Sequence, residues 1–207
     1  MSETPSKREL QRQERRQQIL AAALAVFSER GFHGANVSDV AAAAGVSQGT
    51  IYWYFDSKEE LLTAAVLSYF QQFEQDTLAG LEGYETAADK LRALGQSMTQ
   101  LVQDMEGLFT LFLEYWASSD QREEAGELWA AMLTEYKDVL VGIIEEGIER
   151  GEFRPVQAGP LVWAVMAAYD GLAAYTMLVP DMDLVSSCET LVETVVRGLL
   201  TNEQICE

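Results

Sequence analysis

The chain has 207 residues, of which 48% are hydrophobic and 23% are charged. This composition allows one large or two small globular domains and argues against a disordered chain. The formal net charge of −19 at first disfavours a nucleic-acid binder, because the backbone of DNA is itself an anion.

The charge is distributed unevenly along the chain. Residues 1–62 carry seven basic and eight acidic side chains, which leaves seven basic and 25 acidic ones for residues 63–207. A near-neutral first third with a basic leading arm, KRELQRQERR, therefore precedes a body with a net charge of −18. Such asymmetry predicts that the two segments have different functions.

Neither export nor membrane insertion is expected. The polar start, MSETPSKRELQRQERR, lacks the apolar core of a secretory signal, so Cys188 and Cys206 are interpreted as reduced cytosolic thiols. Residues 161–179 are long enough to span a bilayer, but Asp170 at their centre would cost roughly 2.5–3.5 kcal/mol there. A helix buried in protein or at a subunit interface is the better interpretation, and a cytoplasmic location is predicted.

Helical periodicity dominates the pattern, and no alternating apolar run predicts a strand. Gly31 is expected to end the first helix and Gly45 the second, while Asn36, Ser47 and Ser57 are expected to cap the second, third and fourth. The predicted class is all-α. About nine helices are expected, at residues 7–30, 37–44, 48–55, 58–76, 84–104, 106–118, 121–150, 156–178 and 184–202.

The stretch GVSQGTIYWYFDSKEEL, residues 45–61, has the pattern of a helix-turn-helix: a short turn with glycine between two helices. Ile51 and Phe55 are four residues apart and are expected to face inward together. Their neighbours then lie on the outer faces of a helix barely two turns long. These outer residues are Gln48, Thr50, Tyr52, Trp53 and Tyr54. Exposed aromatic rings on so short a helix need a partner that covers them.

Duplex DNA is a partner that would match these groups. The hydroxyls of Thr50, Tyr52 and Tyr54 can donate to phosphate oxygens, and the amide of Gln48 can reach base edges. Gly49 lacks a side chain and allows close approach to a sugar-phosphate strand.

Lys58 begins the fourth helix, so its ammonium group and the free N–H groups of that helix end are expected to converge on one anion. The alternative is that the aromatic residues are core or dimer contacts and that Lys58 is only solvated. The joint arrangement favours DNA binding.

The stretch ILAAALAVFSERGFHGANVSDVAAAAGVSQGTIYWYFDSKEELL resembles the tetracycline-repressor-like (TetR) family of bacterial transcription regulators. This resemblance implies a three-helix DNA-binding domain at residues 1–62 and a helical effector-binding and dimerisation domain at residues 63–207. The basic arm would add phosphate or minor-groove contacts, or would be a frayed, solvated helix start. The resemblance implies DNA contacts from Ser47, Gln48, Gly49, Thr50, Tyr52, Trp53, Tyr54 and Lys58.

The same resemblance implies that the last two helices pair with their counterparts in a second subunit as a four-helix bundle. An apolar face suited to that pairing is formed in the last helix by Leu191, Val195, Val196 and Leu199. A symmetric dimer would place two recognition helices about 34–36 Å apart, facing a palindromic operator.

An effector pocket is expected where apolar and aromatic groups surround a few polar ones. Glu114 has aromatic neighbours within LFTLFLEYWASS, and Asp170 shares a stripe with Trp163 and Met166. A cationic ligand would partner such a carboxylate, but a hydroxyl, a helix end or solvent would also do so. The candidate effector-binding residues are Phe109, Phe112, Glu114, Trp116, Trp129, Met132, Met166 and Asp170. Core packing is the alternative for Trp129 and Met132.

The predicted function is a ligand-responsive repressor that a small molecule releases from its operator, with no cofactor and no metal. The signal would pass through the helix that begins at Lys58. The alternative is a helical adaptor or regulator whose C-terminal domain binds a protein partner and no small ligand. An enzyme is disfavoured, because the chain has one histidine and no HExxH, GxSxG or phosphate-loop motif.

Overall fold

Helices account for most of the described chain, as the apolar periodicity predicts. A computed structural model describes residues 6–104, 122–179 and 181–201. Within these ranges there is no strand, and Phe153 and Leu200 form one isolated antiparallel bridge. The predicted helix at 106–118 lies outside the described residues. The helices are α1 (Lys7–Gly34), α2 (Val37–Ala43), α3 (Gln48–Tyr54), α4 (Lys58–Leu81), α5 (Ala87–Asp104), α6 (Arg122–Glu149), α7 (Ala158–Leu178) and α8 (Leu184–Leu199).

The basic arm forms the first turns of α1 and begins with a cap. The Ser6 hydroxyl accepts a hydrogen bond from the Glu9 N–H at 3.3 Å, and the Glu9 carboxylate accepts one from the Ser6 N–H at 2.7 Å. This reciprocal capping satisfies two N–H groups that a helix start otherwise leaves unpaired. Hydrogen bonding of the Glu9 carboxylate with the Ser6 side chain, and with the Ser6 backbone N–H, also lowers the pKa of Glu9. The arm is therefore a capped helix start.

Gly31 interrupts α1 at the position predicted from the sequence. Its φ of 72° lies in a region that side chains with a Cβ atom rarely adopt. The Gly31 carbonyl oxygen accepts a hydrogen bond from the Ala35 N–H at 3.2 Å, and a further turn continues to Gly34. The straight part of the helix thus ends where expected.

The chain divides into two compact units, and the described residues of the first are 6–73 and Arg122. Its core combines the inner stripe of α1 with apolar residues from the three following helices. Ile51 and Phe55 are buried, as their spacing predicts. The other large core residues are Ile19, Leu20, Phe27, Val40, Leu61 and Leu62.

The second unit comprises the described residues from Glu74 onward, except Arg122. Its core is one cluster built from α5, α6, α7, α8 and the segment around Phe153. Val196 and Leu199 of α8 are each only 1% exposed and belong to this cluster. The expectation that these two residues face a partner subunit is therefore wrong, because α8 uses that part of its apolar face within its own chain.

α7 matches most of the stretch that has the length of a membrane span. Among the described residues, no helix is both long and apolar enough to cross a membrane. One face of α7 is in the core, where Val162, Met166 and Tyr169 are buried. Its opposite face is exposed in the single chain.

Candidate nucleic-acid interface

The turn between α2 and α3 is a helix end followed immediately by a helix start. Gly45 has a φ of 63°, its N–H donates to the Ala42 carbonyl at 3.2 Å, and the Val46 N–H donates to the Ala41 carbonyl at 3.0 Å. These two bonds form a Schellman motif, which ends a helix with glycine in the left-handed conformation. Val46 is half-buried and leads the chain directly into α3.

Side chains from α1 hold this turn in place. The Gln18 amide donates to the Ala44 carbonyl at 3.0 Å, which satisfies an acceptor at the end of α2. At the other end of α2, Asp39 and Asn36 cap each other's backbone at 3.0 and 3.1 Å. Asp39 also forms an ion pair with Arg30 at 3.0 Å. Both ends of α2 are thus tied to α1 or to a local cap, which sets the direction of α3.

Ser47 is the N-cap of α3, as predicted. Its hydroxyl oxygen accepts a hydrogen bond from the Thr50 N–H at 3.1 Å and lies 2.8 Å from the Thr50 hydroxyl. The two hydroxyls therefore bond to each other in the free chain. The hydroxyl that accepts in this pair keeps its own hydrogen free to donate outward, but the first role of both groups here is to start the helix.

Three of the five residues that the sequence places on the outer faces of α3 are exposed, and the other two, Thr50 and Tyr54, are half-buried. Gln48 and Gly49 are exposed, Tyr52 is 50% exposed and Trp53 is 63% exposed. A Cβ atom added at Gly49 would meet only the Ser47 hydroxyl, at 3.8 Å, so the chain's own packing does not require glycine. Glycine inside a helix costs about 1 kcal/mol relative to alanine. An external surface that approaches the backbone closely would account for it.

The aromatic residues at the end of α3 contact α1. The Arg12 guanidinium carbon lies 4.7 Å from the centre of the Trp53 ring, and Trp53 packs edge-on against Tyr54 with ring centres 4.7 Å apart. The Tyr54 hydroxyl donates to the Arg12 carbonyl at 3.3 Å. Arg16 lies over the Phe55 ring at 5.4 Å. The prediction placed Tyr54 outward with Tyr52, whereas Tyr54 is half-buried against α1.

Lys58 lies at the first position of α4 and is half-buried. Its ammonium nitrogen is 4.3 Å from the centre of the Phe32 ring. Burial lowers the pKa of Lys58, and the nearby charge of Glu59 opposes that shift. The Ser57 hydroxyl accepts from the Glu60 N–H at 3.0 Å, which caps α4 as predicted. The Lys58 charge is thus held at the helix end, close to where the sequence expects an anion.

The expected effector-binding residues that the structure describes differ in burial. Met166 is in the core of the second unit, while Asp170 and Trp163 are on the exposed side of α7. Solvent, one of the partners that the sequence leaves open for the Asp170 carboxylate, reaches this side of α7 in the single chain. Neighbouring apolar atoms still partly desolvate this carboxyl group and raise its pKa.

Of the remaining effector candidates, two lie within the described residues and four lie outside them. Trp129 and Met132 are half-buried on α6. Four further candidates, Phe109, Phe112, Glu114 and Trp116, lie outside the described residues. No group of three or more metal-ligating side chains occurs in the part of the chain that the structure describes.

The sequence did not indicate that Arg12 contacts Trp53, that Gln18 contacts the end of α2, or that the Gly95 carbonyl accepts hydrogen bonds. Buried hydrogen bonds join the Gly95 carbonyl to Tyr169 at 3.1 Å and to Thr99 at 2.8 Å. Burial raises the pKa of Tyr169 to about 12. Only the Thr99 contact is local in sequence, at the four-residue spacing of a helix. The others join distant segments, so no short motif could have indicated them.

Comparison with known proteins covers both segments of the chain. Residues 19–65 match the family described as bacterial regulatory proteins, tetR family, and residues 87–201 match the BetI-type transcriptional repressor, C-terminal family. The fatty acid metabolism regulator protein of Bacillus subtilis is 30% identical over 186 residues, which cover 88% of this chain and 94% of that protein. The HTH-type transcriptional regulator TtgR of Pseudomonas putida is 30% identical over 193 residues, with coverage of 88% and 90%.

A solved structure extends this similarity to three dimensions. The transcriptional regulator FadR from Bacillus subtilis, crystallised in complex with stearoyl-CoA, matches with a TM-score of 0.74 at 29% sequence identity. The match covers 88% of this chain and 98% of that one. Both the helix-turn-helix region and the helical body therefore have counterparts in known regulators.

Proposed function

Because the chain belongs to the TetR family of bacterial transcriptional regulators, we propose that the outer face of α3, together with Lys58, binds operator DNA. The protein is a ligand-responsive, DNA-binding repressor of this family. The observation that carries the proposed site is the exposure of Tyr52 and Trp53, at 50% and 63%, on a helix whose start is capped by Ser47. Residues 1–62 would form the DNA-binding domain and residues 63–207 the effector-binding and dimerisation domain.

Each proposed contact has its own chemical role. Gln48, exposed at the first position of α3, would read a base edge in the major groove. Tyr52 would donate its hydroxyl to a phosphate oxygen, as would whichever of Ser47 and Thr50 accepts in their mutual hydrogen bond. Tyr54 would donate to a phosphate only by giving up its hydrogen bond to the Arg12 carbonyl, and Trp53 would lie against the groove. Gly49 would let the backbone approach one strand, and Lys58 would neutralise a phosphate at the start of α4.

We propose that a second copy of the chain covers the exposed face of α7. Asp170 is the only charged residue in this helix, so α7 is apolar on nearly all sides, which is typical of a helix that is buried all round. In one chain, however, Trp163 is 44%, Tyr175 57% and Leu178 76% exposed. Ala164 and Ala167 lie on the same exposed side and allow close helix packing. α8 would contribute through its exposed side rather than through Val196 and Leu199.

A small-molecule effector is supported by the relatives, since FadR from Bacillus subtilis binds stearoyl-CoA. In this chain, residues 63–207 carry 25 acidic and seven basic side chains. Long-range repulsion by that charge favours a neutral or cationic effector over a polyanionic one. α4 is one continuous helix from Lys58 to Leu81 and would carry the response, with a coupling free energy of about 1–3 kcal/mol.

A protein-binding adaptor is the less favoured alternative, because the relatives are transcriptional regulators and one of them is seen with a bound small molecule. We infer a regulatory rather than an enzymatic role on the same basis. We infer that the site of action is the cytoplasm, because operator DNA is found there. A thermal-shift screen with stearoyl-CoA, a quaternary ammonium cation and an aromatic amphiphile would test for the effector. Stabilisation by a protein partner and by none of the small molecules would favour the adaptor.

The DNA site is tested by selecting bound duplexes from a random pool. We expect a palindrome whose half-sites are about one helical turn apart. Gln48→Ala should then relax selectivity at one base pair per half-site by about 1–3 kcal/mol. Gln71→Ala, which removes an exposed glutamine from α4, is the matched control and should leave the selected sequence unchanged. Selection of no sequence by the native protein would contradict the proposal.

The dimer is tested by light scattering after size exclusion. Trp163→Glu adds a charge to the exposed face of α7, and we expect it to yield a monomer that binds the palindrome weakly. Tyr84→Glu is the matched control, because Tyr84 is 42% exposed and lies outside α7. Dissociation by Tyr84→Glu, or a dimer in Trp163→Glu, would place the subunit contact elsewhere.

A further inference from the structure

α1 and the end of α3 are joined by three contacts that lie side by side. Arg12 stacks on Trp53, the Arg12 carbonyl accepts from the Tyr54 hydroxyl, and Arg16 lies over the Phe55 ring. Three consecutive aromatic residues are therefore each held by one of two arginines one helical turn apart. Phe55 is buried in the core, but Trp53 is not.

The Trp53 contact does not bury the indole ring. Trp53 remains 63% exposed, although Arg12 lies over it and Tyr54 packs against it edge-on. A contact that served only the stability of the unit would be expected to remove more of this ring from water. What the contact does restrict is the orientation of the ring, because the guanidinium plane and the Tyr54 ring hold it from two directions.

We infer that Arg12 is a positioning residue for operator recognition, which fixes the Trp53 indole so that α3 presents it to the DNA groove in one orientation. The inference rests on the proposed function. An indole that is already ordered in the free protein loses less conformational entropy when it binds, so affinity for the matching sequence increases. A misplaced ring would instead weaken the fit to the operator and leave non-specific attraction to phosphates unchanged.

The competing explanation is that Arg12 is one more phosphate contact of the basic arm. The two roles differ in chemistry. A phosphate contact requires only positive charge, which lysine also supplies, whereas stacking on an indole requires the planar guanidinium of arginine. A phosphate contact also contributes about one unit to the salt dependence of binding to any duplex. A positioning role instead changes the affinity only for the DNA sequence whose groove the Trp53 ring fits.

The test compares Arg12→Ala, Arg12→Lys, Trp53→Ala and the double variant Arg12→Ala/Trp53→Ala. Affinities would be measured for the selected duplex and for an unrelated one, over a range of salt concentrations. The matched control is Arg15→Ala, which removes the same charge from the same helix. Within the part of the chain that the structure describes, Arg15 donates to Gln18 at 2.8 Å and does not contact the α3 aromatic rings.

We expect Arg12→Ala and Arg12→Lys each to weaken binding of the selected duplex about two- to fivefold, as loss of one exposed cation–π contact would. Affinity for the unrelated duplex should change little in Arg12→Lys. In the Trp53→Ala background the loss should disappear, because the two residues act as one unit. Arg15→Ala should affect both duplexes equally.

A second readout does not involve DNA. In protein labelled with 5-fluorotryptophan, the fluorine resonance that is absent from Trp53→Phe belongs to Trp53. We expect this resonance to shift in Arg12→Ala and Arg12→Lys and to stay in place in Arg15→Ala. An unshifted resonance would overturn the inference.

The DNA measurements can also overturn it. Native affinity in Arg12→Lys, or additive losses in the double variant, would show that Arg12 acts independently of Trp53 while the regulator function stands. If the native protein did not discriminate between duplexes, the proposed function and this role would fail together. The fluorine shift would then still report whether Arg12 orders the ring in the free protein.

Discussion

Replacing Gly95 with alanine tests how closely α5 and α8 approach each other. A Cβ atom at Gly95 would lie 2.3 and 2.9 Å from the two γ-methyl carbons of Val192 and 3.2 Å from its Cβ. All three distances are shorter than the optimal carbon–carbon separation, about 3.5–4.0 Å. Val192 is β-branched and has few rotamers available, so the helices themselves must move apart.

The size of the effect follows from two opposing terms. Overpacking of this kind lowers the free energy of unfolding by about 1–3 kcal/mol. The better helix propensity of alanine over glycine raises it by about 0.8–1.0 kcal/mol. Movement of α5 would also stretch the hydrogen bonds that the Gly95 carbonyl accepts from Tyr169 and Thr99. We therefore expect the overpacking to exceed the gain in propensity.

Gly142→Ala is the matched control, because Gly142 lies inside α6 and an added Cβ atom there meets nothing within 4 Å. Urea unfolding followed by circular dichroism, at equal protein concentrations, should place Gly95→Ala about 1–3 kcal/mol below Gly142→Ala. Adding Val192→Ala should recover part of the loss, since it removes the clashing methyl groups. Equal stability of the two alanine variants would refute the close packing of α5 on α8.

Three further outcomes are expected. Lys58→Gln should reduce the slope of log affinity against log salt by about one, and an unchanged slope in operator-binding titrations would exclude a phosphate contact. Gly45→Ala should lower the free energy of unfolding by about 1 kcal/mol, because its φ of 63° is strained for alanine. Thermal unfolding would measure this loss of stability, and Gly49→Ala, which introduces no such strain, is the control. Burial raises the pKa of Tyr169 from 10.0 to about 12, so the neutral phenol stabilises the fold below pH 10 and this contribution is lost as pH rises through 12. Denaturant titrations should show this alkaline loss in the native protein and a smaller one in Tyr169→Phe.

Much of the structure of residues 6–73 can be predicted from the sequence, because the interactions that begin and end its helices join residues close together in the chain. Asn36, Ser47 and Ser57 each cap a helix a few residues away, and Gly31 and Gly45 adopt the positive φ that a helix end needs. Each of these interactions closes within five residues or fewer, so the residue types alone indicate it. The same reasoning placed Ile51 and Phe55 in the core.

Local sequence patterns did not predict which neighbour covers an apolar helix face when two neighbours were possible. Periodicity identifies the apolar stripe of α8, but it does not say whether α5 or a second subunit covers that stripe. The folded chain assigns Val196 and Leu199 to its own core and leaves Trp163 and Asp170 of α7 at the surface. The dimer interface therefore stays a proposal that rests on α7 more than on α8.

The sequence by itself determined the all-helical class, the helix-turn-helix and the separation of a near-neutral first third from an acidic body. Composition, spacing and capping are properties of neighbouring residues, and they act before any distant contact forms. Only the tertiary structure placed Arg12 against Trp53, Gln18 against the end of α2, and Tyr169 against Gly95. Those pairs are far apart along the chain, and their meeting depends on how whole helices pack, which no short stretch of sequence encodes.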